Sequence, residues 1–177
     1  MESKIQIQYF KTPYGELILG SYQDKLCLAD WRYRKMRTSI DNRLQKYFKA
    51  SYIEESSLII EETKKQLNEY FDKTRTVFDI PLQFAGTDFQ QKVWKSLMEI
   101  PFGKTETYLG LSKILGNEKA IRAVATANGA NAISILVPCH RVIGSNGKLI
   151  GYAGGLLVKK KLLKLENALK TSQLELF

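Results

Sequence analysis

The most informative stretch of the chain spans residues 135–144 and reads ILVPCHRVIG. An apolar run, expected as a strand, leads into a proline that is followed by a cysteine, a histidine and an arginine. Nearby cations favour the nucleophilic thiolate of a cysteine, and His140 can exchange protons near neutral pH. The stretch indicates a nucleophile, Cys139, beside a base. An inert buried cysteine next to a chance histidine is the alternative, because adjacent strand residues point to opposite faces.

From residue 87 onward the sequence predicts short helices. One is expected over residues 87–100, with an apolar face made of Phe89, Val93, Trp94 and Leu97. Two more are expected, one over residues 107–115 with Thr107 as its cap and one over residues 118–128, separated by a turn that contains glycine. This pair matches the helix-turn-helix pattern, although simply packed helices share it.

The first half of the chain predicts a small α+β unit. Period-two alternation of apolar and polar residues predicts a first strand, and two more strands follow it as an antiparallel meander. Helical spacing comes next, with Ser56 and Ser57 as cap candidates. The strands are expected over residues 4–10, 16–22 and 25–33, and the helices over residues 40–50 and 57–72. Residues 81–86 have the composition of a connector.

The composition indicates a folded protein with an acidic partner. Hydrophobic residues make up 44% of the chain, which carries a net charge of +9. Residues 1–80 contain 14 Lys/Arg against 12 Asp/Glu, whereas residues 81–177 contain 13 against 6. Nucleic acid is the commonest partner of such a basic region. A protein that is basic without such a partner is the alternative.

Several other chemistries are disfavoured. Two cysteines and one histidine cannot supply the four ligands of a structural zinc site, and no glycine-rich phosphate loop follows a strand. We therefore expect no metal and no cofactor. There is no run of 18 apolar residues and no apolar signal core at the N-terminus, so we expect a cytoplasmic protein without a membrane segment.

Residues 138–142, Pro-Cys-His-Arg-Val, closely resemble the active-site signature of the O6-alkylguanine-DNA alkyltransferases, also called methylated-DNA–protein-cysteine methyltransferases. Further matches follow in order along the chain, at residues 89–94, 107–108, 122–124, 128–131, 151–155 and 162–166. The resemblance is dense over residues 80–168 and loose before them. It implies an α+β protein with a ribonuclease-H-like domain over residues 1–80. A helical, winged helix-turn-helix-like domain that binds DNA and accepts the alkyl group would span residues 81–177.

The resemblance also implies a role for each residue of the site. Cys139 would be the nucleophile and the permanent alkyl acceptor, and His140 would deprotonate it through a bridging water. Glu166 would hold the imidazole and stabilise its charged form. Tyr108 would donate to the guanine ring as negative charge gathers there, and Asn131 would lock the turn between the recognition helix and the active-site strand.

The implied substrate pocket contains Val142, Tyr152, Ala153 and Ser134. The carbonyls of Cys139 and Val142 would accept from the exocyclic amine of guanine, and the Ala153 amide would face its oxygen. Many relatives have proline where Ala132 stands, and some have a second proline where Ser134 stands. This edge is therefore expected to be more polar and less rigid, which argues against bulky benzyl-type substrates.

The implied partner is double-stranded DNA carrying O6-alkylguanine, bound by a monomer through the minor groove. A base inside a duplex must be flipped out before it can react, and Arg122 would fill the gap in the stack. The implied DNA contacts are Arg122, Tyr108, Leu109, Asn117, Ala123, Ala127 and Ser145. Residues 159–161, three lysines, are expected as a solvated face near the DNA.

The resulting prediction is a repair protein that moves the alkyl group irreversibly onto Cys139 in a single turnover, with O4-alkylthymine as a further candidate substrate. Three alternatives stay open. A lesion sensor would flip the base without transfer, but such proteins lack the cysteine. A helix-turn-helix regulator explains the charge but not the Cys-His pair, and an unrelated cysteine hydrolase explains the pair but not the DNA-binding features.

Overall fold

The computed structural model describes residues 2–174 and has a mixed α+β composition, which confirms the predicted class. The chain divides into two compact units, one ending at Thr87 and the other beginning at Asp88. Within residues 2–174, no helix is both long and apolar enough to cross a membrane.

A four-stranded sheet forms the centre of the first unit. Its strands are β1 (Ser3–Thr12), β2 (Gly15–Tyr22), β3 (Lys25–Trp31) and β4 (Ala50–Glu54), in the order β3-β2-β1-β4. The first three strands pair antiparallel, as the meander predicts, whereas β4 runs parallel to β1. A parallel pair requires a crossover connection, which helix α1 (Arg37–Phe48) supplies between β3 and β4.

The sequence did not predict strand β4, because the helix before it ends earlier than expected. Lys49 adopts the left-handed conformation with a φ of 50°, and its amide donates to the carbonyls of Gln45 and Lys46. Such a residue terminates a helix, so Ala50 begins the strand instead of ending the helix. Helix α2 (Leu58–Phe71) starts after Ser57, whose side chain accepts from the Ile60 amide, as predicted for the cap.

The second unit consists mainly of short helices. They are α3 (Asp88–Met98), α4 (Tyr108–Ile114), α5 (Ile121–Gly129), α6 (Leu156–Leu165) and α7 (Thr171–Leu174). Two-residue strands β5 (Glu106–Thr107) and β6 (Val142–Ile143) pair in parallel. Short 3-10 turns occur at Glu118–Ala120 and at Cys139–Arg141.

The helices of this unit follow their sequence signals with two differences. Thr107 caps α4 by accepting from the Gly110 amide at 2.9 Å, as predicted. The helix expected from residue 118 starts with a 3-10 turn and becomes α-helical only at Ile121. The predicted apolar face of α3 is buried except at Phe89, which is 39% exposed.

Candidate active site

Cys139 lies on a tight turn and not on the strand that the sequence predicts. Pro138 has φ −81° and ψ 62°, and the Cys139 amide donates to the Val137 carbonyl at 2.8 Å, which together form an inverse γ-turn. The chain then makes one 3-10 turn before β6 begins at Val142. Successive residues are spread around a helical turn instead of alternating between two faces, so Cys139 and His140 can both take part in one buried site.

The segment before Cys139 has a strained backbone that Asn131 holds in place. Ile135 has a φ of 73° at the centre of a γ-turn, which is rare for a β-branched residue. The buried Asn131 side chain donates to the carbonyls of Ile133 at 3.3 Å and Val137 at 3.0 Å, and it accepts from the Ile133 amide at 2.9 Å. Asn131 thus ties the end of α5 to the residues that lead to Cys139.

Three buried side chains form an ionic network next to Cys139. His140 Nε2 lies 2.8 Å from Glu166 Oε1, and Glu166 is the residue at which α6 ends. Arg141 donates from Nε to Oε2 of Glu166 at 2.9 Å and from Nη2 to Oε1 at 3.0 Å. Its Nη1 donates to the Ile100 carbonyl at 2.6 Å. Such a bidentate arginine–carboxylate pair fixes both position and charge.

This network keeps the carboxylate charged and orients the imidazole. Burial acts to raise the pKa of Glu166, but His140 and Arg141 outweigh it and lower the pKa to about 2. Because Arg141 bonds both oxygens, Glu166 stays ionised whether His140 is neutral or protonated. Burial lowers the pKa of His140, and the hydrogen bond to Glu166 opposes that shift. His140 Nδ1 is buried without a hydrogen-bond partner among the described residues.

Tyr108 is the first residue of α4 and lies close enough to Cys139 for the thiol to influence its pKa. It follows β5 directly, and the parallel register of β5 and β6 places it level with Gly144, at the end of β6 opposite to the Cys139–Arg141 turn. The Tyr108 hydroxyl donates to the Ile150 carbonyl at 3.2 Å. Burial and the nearby Cys139 raise the pKa of Tyr108 to about 12, against a hydrogen bond from Asn128. The phenol therefore remains a proton donor across the physiological range.

Lys159 is a functional candidate that the sequence did not predict. It was expected on a solvated face, but the structure shows that it is fully buried. Its ammonium donates to the carbonyls of Val142 at 2.5 Å, Ile150 at 2.9 Å and Gly151 at 3.0 Å. Lys160 is also buried, which contradicts the same expectation. Burial lowers the pKa of Lys159 to about 8, although Cys139 opposes the shift. The helical spacing of α6, with Leu162 and Leu163 on its buried side, was the signal that could have placed Lys159 inward.

The remaining pocket candidates surround this core. Val142 and Ser134 are buried, and Tyr152 and Ala153 are half-buried. The Tyr152 ring packs edge-on to the His140 ring, with their centroids 6.4 Å apart. The structure therefore places all four within the same unit as Cys139, with Val142 and Tyr152 adjoining the catalytic candidates.

The residues predicted to contact DNA divide by their exposure. Arg122 and Ala123 are exposed on α5, Asn117 and Ser145 are exposed in turns, and Leu109 is half-buried. Ala127, one helical turn after Ala123, is only 2% exposed. Its carbonyl accepts from Trp94 Nε1 at 2.8 Å, so its burial against α3 contradicts the predicted contact with DNA.

The ionisation of Lys159 predicts a change of stability in alkaline solution. The pKa of Lys159 is about 8 in the folded chain against an ordinary 10.5, so the unfolded chain binds more protons between these values. The stability of the native protein should therefore rise through this pH range, relative to Lys159→Met, by about 3 kcal/mol. Thermal melts at several pH values would test this. The exposed Lys164→Met should track the native protein, and a constant gap between native and Lys159→Met would contradict the prediction.

The chain resembles known proteins over nearly its whole length. Residues 88–168 match the family model described as 6-O-methylguanine DNA methyltransferase, DNA binding domain. A methylated-DNA–protein-cysteine methyltransferase of Methanosarcina acetivorans is 42% identical over 159 residues, which cover 90% of this chain and 96% of that protein. The constitutive methyltransferase of Bacillus subtilis is 41% identical over 160 residues, covering 88% and 92%.

Solved structures show the same similarity. The Mycobacterium tuberculosis O6-methylguanine methyltransferase matches with a TM-score of 0.78 and 37% identity, over 98% of this chain and 99% of that one. A structure of M. tuberculosis OGT in complex with DNA matches with a TM-score of 0.77 and 38% identity, over 93% of each chain.

A buried cysteine beside a histidine–glutamate pair, in a chain with this fold, defines a cysteine-dependent methyltransferase. The chain belongs to the methylated-DNA–protein-cysteine methyltransferase family. This membership confirms the family and the class of enzyme activity that the sequence predicts.

Proposed function

We propose that the protein repairs double-stranded DNA by transferring the alkyl group of O6-alkylguanine to Sγ of Cys139, once per molecule. The observation that carries this proposal is the buried His140–Glu166–Arg141 network next to Cys139. The Cys139–Arg141 turn supplies the nucleophile and the base, and Glu166 after α6 supplies a fixed counter-charge.

The thiol proton leaves through His140. Glu166 accepts the Nε2 proton of the imidazole at 2.8 Å, which leaves Nδ1 as the acceptor. A water bridging Nδ1 and the thiol would carry the proton of Cys139 to His140. The ionised Glu166 then stabilises the imidazolium, as carboxylates do in other nucleophile–base–orienter sets.

The alkyl transfer itself displaces guanine. A bond forms between Sγ of Cys139 and the alkyl carbon, the bond from that carbon to the guanine oxygen breaks, and the electron pair remains on the ring. Tyr108 would donate its phenolic proton towards this charge, because its raised pKa keeps it protonated. A donor aimed at developing charge is typically worth about 3 kcal/mol of barrier.

The pocket would recognise guanine through backbone groups. The carbonyls of Cys139 and Val142 would accept from the exocyclic amine, and the Ala153 amide would face the oxygen. The Val142 carbonyl also accepts from Lys159, and a carbonyl has two lone pairs, so it can serve both. Tyr152 and Ser134 would complete the pocket wall. The buried Ser134 stands where some relatives have a rigid proline, so we propose methyl in preference to benzyl groups as the natural cargo.

The exposed surface of α5 would face the minor groove. Arg122 and Ala123 are exposed on it, and the second half of the chain carries the excess of positive charge. We propose that Arg122 enters the stack in place of the flipped nucleotide, while Asn117, Leu109 and Ser145 contact the DNA around it. Base flipping costs a few kcal/mol, and a side chain that fills the gap offsets part of this cost.

Arg122→Ala should therefore separate duplex repair from the chemistry. We expect transfer from methylated duplex DNA to slow about tenfold or more, since 1.4 kcal/mol corresponds to tenfold, while the reaction with free O6-methylguanine stays unchanged. Rates of Cys139 methylation on both substrates measure this. Lys119→Ala, also exposed, is the matched control. Equal losses on both substrates would show that Arg122 has a structural role.

The finer architecture belongs to the same proposal. The strand order β3-β2-β1-β4, with β4 parallel to β1, supports a ribonuclease-H-like domain over residues 1–80. The closely spaced α4 and α5 support a winged helix-turn-helix-like domain over residues 81–177. We further propose a cytoplasmic monomer, with O4-alkylthymine as a second substrate.

Intact mass after mixing with methylated duplex DNA tests the function against its alternatives. One added methyl group per chain supports alkyl transfer. Binding to the duplex without any mass gain would indicate a lesion sensor or a regulator, and neither binding nor mass gain would indicate an unrelated hydrolase.

A further inference from the structure

A turn next to the active site presents polar groups to solvent. Residues 144–148, called here the 144–148 turn, are closed by the Gly144 amide donating to the Lys148 carbonyl at 2.9 Å and the Gly147 amide donating to the Gly144 carbonyl at 2.9 Å. Ser145, Asn146 and Lys148 are exposed. The turn follows β6 and therefore continues the chain that holds Cys139.

The segment after α6 is bent back by a defined helix ending. Asn167 has a left-handed φ of 55°. Its amide donates to the Lys164 carbonyl at 3.0 Å, and the Ala168 amide donates to the Leu163 carbonyl at 2.9 Å. These two bonds make a Schellman motif that spans Glu166, the partner of His140. Residues 167–173 that follow are called the strap.

The strap lies against the 144–148 turn through two independent contacts. Ala168 and Leu169 pack on an apolar cluster of Ile143, Leu149 and Leu163, of which the first two flank the turn. Further on, Gln173 Nε2 donates to the Gly147 carbonyl at 2.7 Å. Gln173 Oε1 accepts from the Lys170 amide at 2.8 Å. Gln173 is 7% exposed, so this polar side chain is buried in order to make these bonds.

We propose that Gln173 is a positioning residue that fixes the 144–148 turn for contact with the DNA backbone. Without an anchor, a turn with two glycines and an exposed polar tip would sample several conformations, and binding would then have to order it. The bond from Gln173 orders it in advance. Because the strap directly follows Glu166, one continuous stretch of chain fixes both the catalytic base and this DNA-facing turn. This inference rests on the proposed function, which identifies DNA as the partner of the 144–148 turn.

Gln173→Glu tests the positioning role of Gln173 with almost no change in the shape of the side chain. The variant keeps the acceptor for Lys170 but loses the donor, and places a carboxylate oxygen against the Gly147 carbonyl. Ser172→Ala, an exposed position on the same helix, is the control. Trypsin cleavage after Lys148, followed by the mass of the fragments, reports opening of the turn. The affinity for unmodified duplex DNA reports positioning, and the rate with free O6-methylguanine reports the chemistry.

We expect Gln173→Glu to speed cleavage after Lys148 about fivefold, because cleavage tracks the open population and one hydrogen bond is lost. Duplex affinity should fall about fivefold, while the rate with free O6-methylguanine and all readings for Ser172→Ala stay unchanged. Unchanged cleavage, unchanged duplex affinity, or an equal loss with the free base would each overturn the proposal. Duplex affinity does not require alkyl transfer. A native protein that binds DNA without accepting a methyl group would therefore contradict the proposed function, while the cleavage and affinity of Gln173→Glu would still decide the positioning role of Gln173.

Discussion

Cys139→Ala should abolish methyl transfer completely while leaving the affinity for duplex DNA unchanged. The substitution removes only the nucleophilic thiol, and the exposed residues proposed to contact DNA, such as Arg122 on α5, are elsewhere in the chain. Incubation with methylated duplex, followed by intact mass and a binding titration, measures both quantities. Transfer at any measurable rate would move the nucleophile to another residue.

Cys27 provides the control for this experiment, since it is the other thiol of the chain. It is buried in β3, and burial raises its pKa to about 12, against a backbone hydrogen bond that lowers it. A thiol that stays protonated is a poor nucleophile. Cys27→Ala should therefore accept methyl at the native rate, and a loss of transfer in this variant would contradict the assignment of Cys139.

Glu166→Gln should have the second-largest effect, on both rate and stability. The amide cannot stabilise an imidazolium as a carboxylate does, so we expect transfer to slow at least about a hundredfold. The change also leaves the buried Arg141 without its counter-charge, and breaking a buried ion pair in this way typically costs about 3–5 kcal/mol. Single-turnover rates and chemical denaturation at neutral pH measure the two effects.

The stability effect of Glu166→Gln should disappear in acid. The pKa of Glu166 is about 2 in the folded chain against an ordinary 4.5. The stabilisation by its carboxylate is therefore complete above pH 4.5 and is lost as the pH falls towards 2. The gap between native protein and variant should shrink by about 3 kcal/mol over this range. Glu118→Gln, at an exposed position, should show neither effect; a gap independent of pH would contradict the ionic role of Glu166.

The sequence predicted the family and many of the helices and strands correctly, because their signals are local and ordered along the chain. The Pro-Cys-His-Arg-Val stretch identified the family, period-two alternation predicted β1, and the two following strands were predicted as an antiparallel meander. Caps such as Thr107 and Ser57 bond to amides only three residues away. Such signals lie within a few residues of one another and can be recognised before the fold is known.

What the sequence did not predict depends on contacts that are distant in the chain. Lys159 appeared solvated among three lysines, and only the carbonyls of Val142, Ile150 and Gly151 explain its burial. Ala127 was expected to contact DNA, but it is buried, and its carbonyl accepts a hydrogen bond from Trp94.

Backbone conformation explains the other differences. A left-handed Lys49 ends α1 and allows β4 to form, and an inverse γ-turn at Pro138 replaces the expected strand before Cys139. Propensity and periodicity contain little information about either feature, because both depend on single residues in uncommon conformations.

One-time transfer also predicts a change in the product. A thioether at Cys139 adds a methyl group to a buried site, and overpacking typically costs about 1–3 kcal/mol. We expect the methylated protein to melt at a lower temperature than the free protein. An unchanged melting temperature would contradict only the expected overpacking of the site by the methyl group and would not contradict the transfer mechanism.

The most direct test of the central claim is a titration of methylated duplex DNA against a fixed amount of protein, read as lesion remaining and as the mass of the peptide containing Cys139. The C–S bond is stable and the transferred group comes from the DNA itself, so repair should stop at one equivalent however long the incubation. One methyl group per chain should be found on Cys139. Repair of several equivalents per chain, or a methyl group on any other residue, would contradict the mechanism.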